Sequence, residues 1–373
     1  MTTSGKFTLS TSRHLLTACV LWCGALFPAM GARDEAPTLS TDSGTSDLLN
    51  LSLQDLYNLD IIQMNVLGAH THPAGEIMFG YRFMFMEMDS IRSGGHEITA
   101  KEVFAQHPEF TVAHVKMEME EHMFDAMYAP SDRVTLMAMI PYKHMSMLHV
   151  KPDGGEFTQE AEGFGDLQVM GVITLWQSCK SRKCHRLLLN AGMSFPTGSI
   201  HVRDHALGNP AEPRVKLEYP MQLGSGTFDL LPGLTYLGER GSWAWGAQTI
   251  ETVRLGRNSS GYRFGNQYEA SAWLAYGVTD WLAPYVRLEG RVWDNIKGRD
   301  SVYGAVPKSA EASPNLQSGE RVNALIGVNL YAGKGLLKGN RITVEAGLPI
   351  HEHLRGPQLG LGWTINVGWT YGF

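Results

Sequence analysis

Twelve methionines lie between Met78 and Met147, out of 18 in the whole chain. A thioether is soft, polarisable and uncharged, so this density suits one of two kinds of chemistry. Soft sulfur favours Cu(I) or Ag(I), and nearby imidazoles extend the range to Cu(II) and similar ions. The other use is an adaptable apolar surface that fills irregular space or touches a varied substrate. Spacing by two recurs throughout: Met84 and Met86, Met137 and Met139, Met145 and Met147, with Met78 on the same parity as the first pair. His70, His72 and His149 stand close by in the sequence and complete a candidate set for transient copper or silver stations. No resident cofactor is expected. His70-Thr71-His72 precedes the first extended segment, where a simple solvated pair is the plainer expectation.

Two other groups could be reactive. Cys179 and Cys184 stand apart from Cys19 and Cys23, which belong to an expected export leader. In an oxidising compartment, a disulfide clipping one turn is expected, ahead of a metal pair with His185. His144 and Ser146 could suggest an outer-membrane hydrolase. Nucleophilic catalysis needs a base within hydrogen-bond reach and a partner that orients it, and no local signature supplies these. The chain is not expected to be an enzyme.

Methionines at period two need strands, because alternate side chains of a strand point to opposite faces. Strands are expected near 75–89, 113–128, 133–149, 163–176, 185–196, 226–238, 242–255, 263–277, 281–294, 320–332, 341–350 and 358–373. In the first, Met78, Met84, Met86 and Met88 share a face with Glu76 and Arg82, opposite Phe79, Tyr81, Phe83 and Phe85. In the second, Met117, Met119, Met123 and Met127 fall opposite Phe124, Ala126 and Tyr128, but both faces of the outer half are polar, which suggests a bulge or a segment above the membrane. In the third, the methionines share a face with Lys143 and His149. Asp166, Arg287, Glu289, Arg291 and Glu345 likewise oppose apolar neighbours. Arg at mid-depth on a lipid face costs roughly 2–4 kcal/mol, so these charges belong to a polar lumen, where opposite charges on adjacent strands pair. Tyr128, Trp176, Trp243, Trp281 and Tyr331 sit near strand ends and suit an interfacial girdle.

Connection lengths alternate. Short turns at 130–132, 238–241 and 279–280 contrast with long connections at 90–112, 197–225 and 295–319. Bacterial barrels have short periplasmic turns and long outer loops. The last segment alternates Leu361, Trp363, Ile365, Val367, Trp369, Tyr371 and Phe373 with Gly, Thr and Asn. The expectation is therefore an all-β fold, a closed antiparallel transmembrane barrel of about twelve strands with a short N-terminal helix. Charged residues make up 18% and aromatics 10%, with 41 glycines, and no apolar run is long enough for a spanning helix.

Residues 1–32 read as a signal peptide, with Lys6 and Arg13 ahead of an apolar core and small residues at Ala29, Gly31 and Ala32. Residues 33–74 read as a flexible segment holding a short amphipathic helix at Leu48–Ile61, and 75–373 as the barrel. The net charge of −6 gives no support for nucleic-acid binding. Expected partners are outer-membrane lipids, the barrel-assembly machinery and a small solute or metal ion.

Three motifs carry a resemblance. They are Gly163-Phe164-Gly165-Asp166, Ser194-Phe195-Pro196-Thr197-Gly198-Ser199, and the stretch from Gly224 to Leu234, followed by an aromatic C-terminus. Together they resemble the outer-membrane family of the putative meta-cleavage pathway of phenol degradation, over roughly residues 70–373. The resemblance implies a barrel in the bacterial outer membrane that passes small molecules. Three functions stay open: passage or binding of small solutes including soft metal ions, uptake of small aromatic or hydrophobic compounds, or a non-conducting structural or metal-binding barrel. A barrel of this size could hold a slender pore or a plugged lumen.

Overall fold

The structure, a computed structural model, describes Val66 and residues 68–180, 183–333 and 335–372. The leader at 1–32, the helix at Leu48–Ile61 and Phe373 lie outside the described residues.

In chain order, β1 (Ile77–Gly94), β2 (His96–Ile98), helix α1 (Ala100–Gln106), β3 (Ala113–Ser131), β4 (Val134–Val150) and β5 (Glu156–Phe164) come first. β6 (Leu167–Lys180), β7 (Lys183–Phe195), β8 (Arg203–His205), β9 (Arg214–Lys216), β10 (Phe228–Arg240) and β11 (Trp243–Leu255) follow. β12 (Tyr262–Arg263), β13 (Gln267–Tyr276), β14 (Leu282–Trp293), β15 (Lys297–Gly298), β16 (Gly319–Tyr331) and β17 (Asn340–Gly372) complete the chain. Antiparallel pairing runs β1-β3-β4-β6-β7-β10-β11-β13-β14-β16-β17 and returns from β17 to β1. The sheet is a closed barrel, and closure satisfies the backbone groups that lipid could not. β2 and β5 pair along its outer rim, outside this path.

β17 occupies two places in the wall. Its residues 341–354 pair with β16 and its residues 354–372 pair with β1. The two arms also touch each other. Trp369 Nε1 donates to Asn340 Oδ1 at 2.9 Å, Asn366 Nδ2 to Glu345 Oε1 at 3.2 Å, and Leu361 N to Glu352 Oε1 at 3.1 Å. The strands expected separately at 341–350 and 358–373 are therefore joined without a break in β17, which reverses near Leu354, and with β17 counted once the wall has eleven strand elements where about twelve strands were expected. The strand expected at 163–176 is instead divided. β5 pairs with the upper half of β4 and β6 with the lower half. Near the end of β5 Gly163 takes a φ of +142°, a conformation that favours glycine.

Alternation sets the two faces. Phe79, Phe124, Leu136, Leu234, Val286 and Ile326 are exposed on the outside, where lipid covers them. Tyr128, Trp176, Trp243 and Trp281 are exposed near strand ends, as a girdle requires. Tyr331 is not among them. It is buried inside the barrel with Tyr285, Ala244, Ala275 and Ala283, and Arg341 lies 5.4 Å over its ring. The reason is parity: Tyr331 shares the inward side of β16 with Asn329 and Asn323, and both of those are buried. A closed barrel with an apolar belt, short turns at one end and long loops at the other is an outer-membrane architecture. No helix among the described residues is long and apolar enough to cross a membrane, and the strands make the crossing.

Candidate functional site

The inward methionines form rows across neighbouring strands. Met78, Met127, Met137 and Met170 are consecutive partners across β1, β3, β4 and β6. Higher up, Met86 pairs with Met119 and Met119 with Met145, while Met88 pairs with Met117 and Met117 with Met147. The register shifts between His114 and Lys116, so the polar upper part of β3 does contain a bulge. Below it, Met117, Met123 and Met127 are buried and Phe124 and Tyr128 exposed, which turns this strand's methionines inward too.

The lumen has three levels. At the lower level, Met78, Met127, Met137, Met139 and Met170 pack with Leu188, Leu231, Leu237 and Trp273. Val66 and Ala69 belong to the same cluster, so the segment ahead of β1 lies inside the barrel. Asn190 Nδ2 donates to Gly68 O at 2.7 Å, and His72 N donates to Thr135 Oγ1 at 2.9 Å. His70 and His72 are consequently not a solvated pair. His72 is 5% exposed, its Nδ1 faces Glu76 at 3.2 Å, and its ring meets that of His70 edge-on at 4.9 Å. Nothing in the local sequence places this loop inside, because a loop is normally a surface element.

The middle level is a cavity of about 570 Å³. Met84, Met86, Met119, Met123, Met139 and Met170 form its thioether surface. The rest is a set of charges on β3, β4, β10, β11, β13, β14, β16 and β17. Arg287 grips Glu345 with two bonds, Nη2 to Oε1 at 2.6 Å and Nε to Oε2 at 2.9 Å, and reaches Glu289 at 2.8 Å. Arg291 pairs with Glu269 at 2.7 Å, Lys143 faces Glu121 at 3.6 Å, and Arg254 pairs with Asp229. Arg82 also lines the cavity. Among the described residues it is the one cavity-lining cation with no carboxylate within ion-pair distance.

The upper level is a roof formed by the loop from 196 to 227. Leu217, Met221 and Leu223 are buried against Met117, Met145, Met147 and Ala161. Asp166 pins the loop at both ends. It accepts from Gly198 N at 2.9 Å and from Ser225 N and Oγ, each at 2.7 Å. Thr197 Oγ1 donates to Gly165 O at 3.1 Å and accepts from Leu167 N at 2.8 Å. The crossing leaves no room for side chains, since a Cβ on Gly198 would sit 2.8 Å from Gly224 Cα. Lys216 Nζ then ties the roof to the loop 294–318 through Asp300 at 2.6 Å. Burial pushes the Asp300 carboxyl up, but the bonds from Lys216, Val302 N and Ser260, with the charge of Lys216, together more than offset this and hold it below its ordinary value. Burial, reinforced by the charge of Asp300, raises the hydroxyls of Tyr262 and Tyr303 beside it.

The ten candidate metal residues therefore do not converge on one centre. Met84, Met86 and Met139 face the cavity, Met78 and Met137 are packed below it, and Met145 and Met147 are packed under the roof. His70 and His72 lie at the lower end, whereas His149 stacks on Phe157 and meets His114 edge-on at the upper end. Of the candidate lumen residues, Arg82, Asp166, Arg287, Glu289, Arg291 and Glu345 reach the cavity, and Glu76 stays with His72 below. Cys179 and Cys184 are bonded across the turn between β6 and β7. His144 and Ser146 take the outward parity of β4, opposite buried Met145 and Met147. Sequence reasoning missed the roof. A signal was present, because Leu217, Tyr219, Met221 and Leu223 alternate apolar residues within what reads as an external loop.

No family model matches the sequence, and no curated protein matches it significantly. Solved structures do. The COG4313 outer membrane channel from Pseudomonas putida F1 superposes with a TM-score of 0.58 at 14% identity, covering 83% of this chain and 99% of that one. A FadL homologue of Pseudomonas aeruginosa gives a TM-score of 0.39 at 10% identity, over 82% of this chain and 93% of that one. At these identities the likeness to the first is one of fold, an outer-membrane barrel.

Proposed function

We propose that this barrel passes small organic acids with an apolar body across the outer membrane, holding them in the central cavity between a lower plug and an upper roof. Arg82 carries the reading. It is the cavity-lining cation that no carboxylate contacts directly, with Asp125 and Glu121 of β3 near it but beyond ion-pair distance, and it lies among Met84, Met86 and Met123. A carboxylate on the guanidinium and a hydrocarbon body on the thioethers would use both features, since Arg binds planar carboxylates well and methionine adapts to varied shapes. The remaining charges fix the cavity wall. Taken as separate crossings, the two arms of β17 give twelve strands, the even number usual for bacterial barrels. The resemblance to the phenol meta-cleavage outer-membrane family is compatible with such solutes.

A charge-assisted hydrogen bond contributes about 1.5–3 kcal/mol. Arg82→Gln is therefore expected to weaken binding of benzoate roughly tenfold to a hundredfold, with benzamide little affected. Binding to the purified barrel and flux into liposomes both report this, and equal losses for the acid and the amide would refute the assignment.

A second reading is favoured by the six thioethers on one cavity surface, namely transient holding of Cu(I) or Ag(I). Changing Met84, Met86, Met119 and Met139 to Leu separates the two. Each swap conserves volume and usually costs under about 1.5 kcal/mol, so the barrel should still assemble. The organic-acid reading expects benzoate flux to survive and the unaltered barrel to retain no Ag(I). Ag(I) bound by the parent chain and absent from the variant would establish the soft-ion reading instead.

A further inference from the structure

The upper end of the lumen holds a cluster that solute passage does not use. His114, near the start of β3, has a fully buried side chain, and each of its ring nitrogens faces a carboxylate from a different outer loop. Nε2 lies 2.7 Å from Glu218 Oε2, and Nδ1 is in contact with Glu311 Oε2. Glu218 belongs to the roof and Glu311 to the loop 294–318. Neither contact has the angle of a hydrogen bond, which leaves both nitrogens and both oxygens buried without one. The ligand atoms of the three residues lie within 4.8 Å of one another. Ser309 Oγ donates to the other oxygen of Glu218, and this orients Oε2 toward the imidazole. His149 meets His114 edge-on at 4.5 Å, and its Nδ1 is also buried without a partner.

Charge makes the arrangement costly as it stands. A neutral imidazole can donate one proton only and leaves two carboxylates uncompensated, each with its facing oxygen buried. An imidazolium still leaves one net negative charge, and buried unpaired charge is strongly disfavoured. We propose that His114, Glu218 and Glu311 bind a divalent transition-metal ion of the zinc type, which clasps the two outer loops to the barrel rim. One imidazole and two carboxylates suit such an ion. Zinc accepts nitrogen at about 2.0–2.1 Å and carboxylate oxygen at about 2.0–2.2 Å. The Ser309 bond is the kind of outer hydrogen bond that commonly fixes a ligating carboxylate. The site differs in place and in donor chemistry from the thioether surface of the cavity, and it stands whether or not organic acids pass.

The test uses the full-length barrel purified in detergent, stripped with EDTA and dialysed against Zn²⁺. Metal content is then measured by plasma mass spectrometry. One tightly held ion per chain is expected, together with slower trypsin cleavage of the outer loops in Zn²⁺ than in EDTA. Glu218→Gln with Glu311→Gln preserves shape while removing both anionic ligands, and His114→Ala removes the imidazole. Both variants should lose the ion and the zinc-dependent protection while keeping heat-modifiable migration as a sign of an assembled barrel. A parent chain that holds no zinc would overturn the proposal. So would variants that retain it, because the ion would then sit elsewhere, for example at His70, His72 and Glu76.

Discussion

Deleting residues 33–72 together with Asp166→Ala is expected to turn a barrel of low conductance into an open pore, with a gain well beyond that of either change alone. The cavity lies between two obstructions. Below it, Val66 and Ala69 are packed into the methionine cluster. Above it, the roof is fastened by the bonds from Gly198 and Ser225 to Asp166. Obstructions in series add their resistances, so opening one leaves the other in control of the current. Deletion alone should raise single-channel conductance modestly, and Asp166→Ala alone should add brief openings as the roof loosens. The double change should give a current several-fold larger and steady. Planar-bilayer recording checks this. If deletion alone gives the full current, the roof is no barrier, and if the double change gives none, the lumen is closed by something other than these two segments.

Glu345→Ala should cost the barrel more stability than any other single change in the cavity wall. Glu345 is 1% exposed, accepts both bonds from Arg287 and one from Asn366, and sits on β17 where that strand meets β16. Removing one partner of a buried pair commonly costs about 3–5 kcal/mol, because the other charge is left uncompensated. Glu289, 2.8 Å from Arg287, should keep the loss near the lower end of that range. The double change Arg287→Met with Glu345→Met should recover most of it, since an apolar pair of similar volume is often neutral. Urea unfolding in detergent measures the differences. A loss in the double variant as large as in Glu345→Ala would show that the cost comes from packing and not from stranded charge.

The wall was legible in the sequence because lipid imposes a strict period-two pattern, and a register error would turn every charged side chain outward. That constraint placed Met84, Met86, Arg287, Glu289 and Glu345 on the inner face. It also faces Tyr331 inward, and there the expectation failed because an aromatic near a strand end was assigned by type and not by parity. What lies inside the lumen was less readable. His70 and Glu311 occupy segments without strand periodicity, where nothing in local sequence distinguishes a loop in water from a loop folded back into the barrel, and the short alternation from Leu217 to Leu223 is the one trace of the roof. The three motifs behind the family resemblance are more telling in space than along the chain. Gly165-Asp166, Thr197-Gly198 and Gly224-Ser225 meet at one crossing, and their spacing reflects the roof they fasten.

The rows of methionine also bear on oxidative damage. Hypochlorite or peroxide small enough to enter the cavity would meet Met84, Met86 and Met119 first, since these line it and are only partly covered by neighbours. Met137, Met145 and Met147, at 1%, 2% and 1% exposure, are shielded by their packing. Conversion to the sulfoxide replaces an apolar sulfur with a polar one and is undone by dedicated reductases. An oxidised cavity would therefore lose its greasy side while the packed methionines above and below still held the plug and roof in place. The molecule has a lining that can be consumed and repaired, set within a frame that oxidant does not reach.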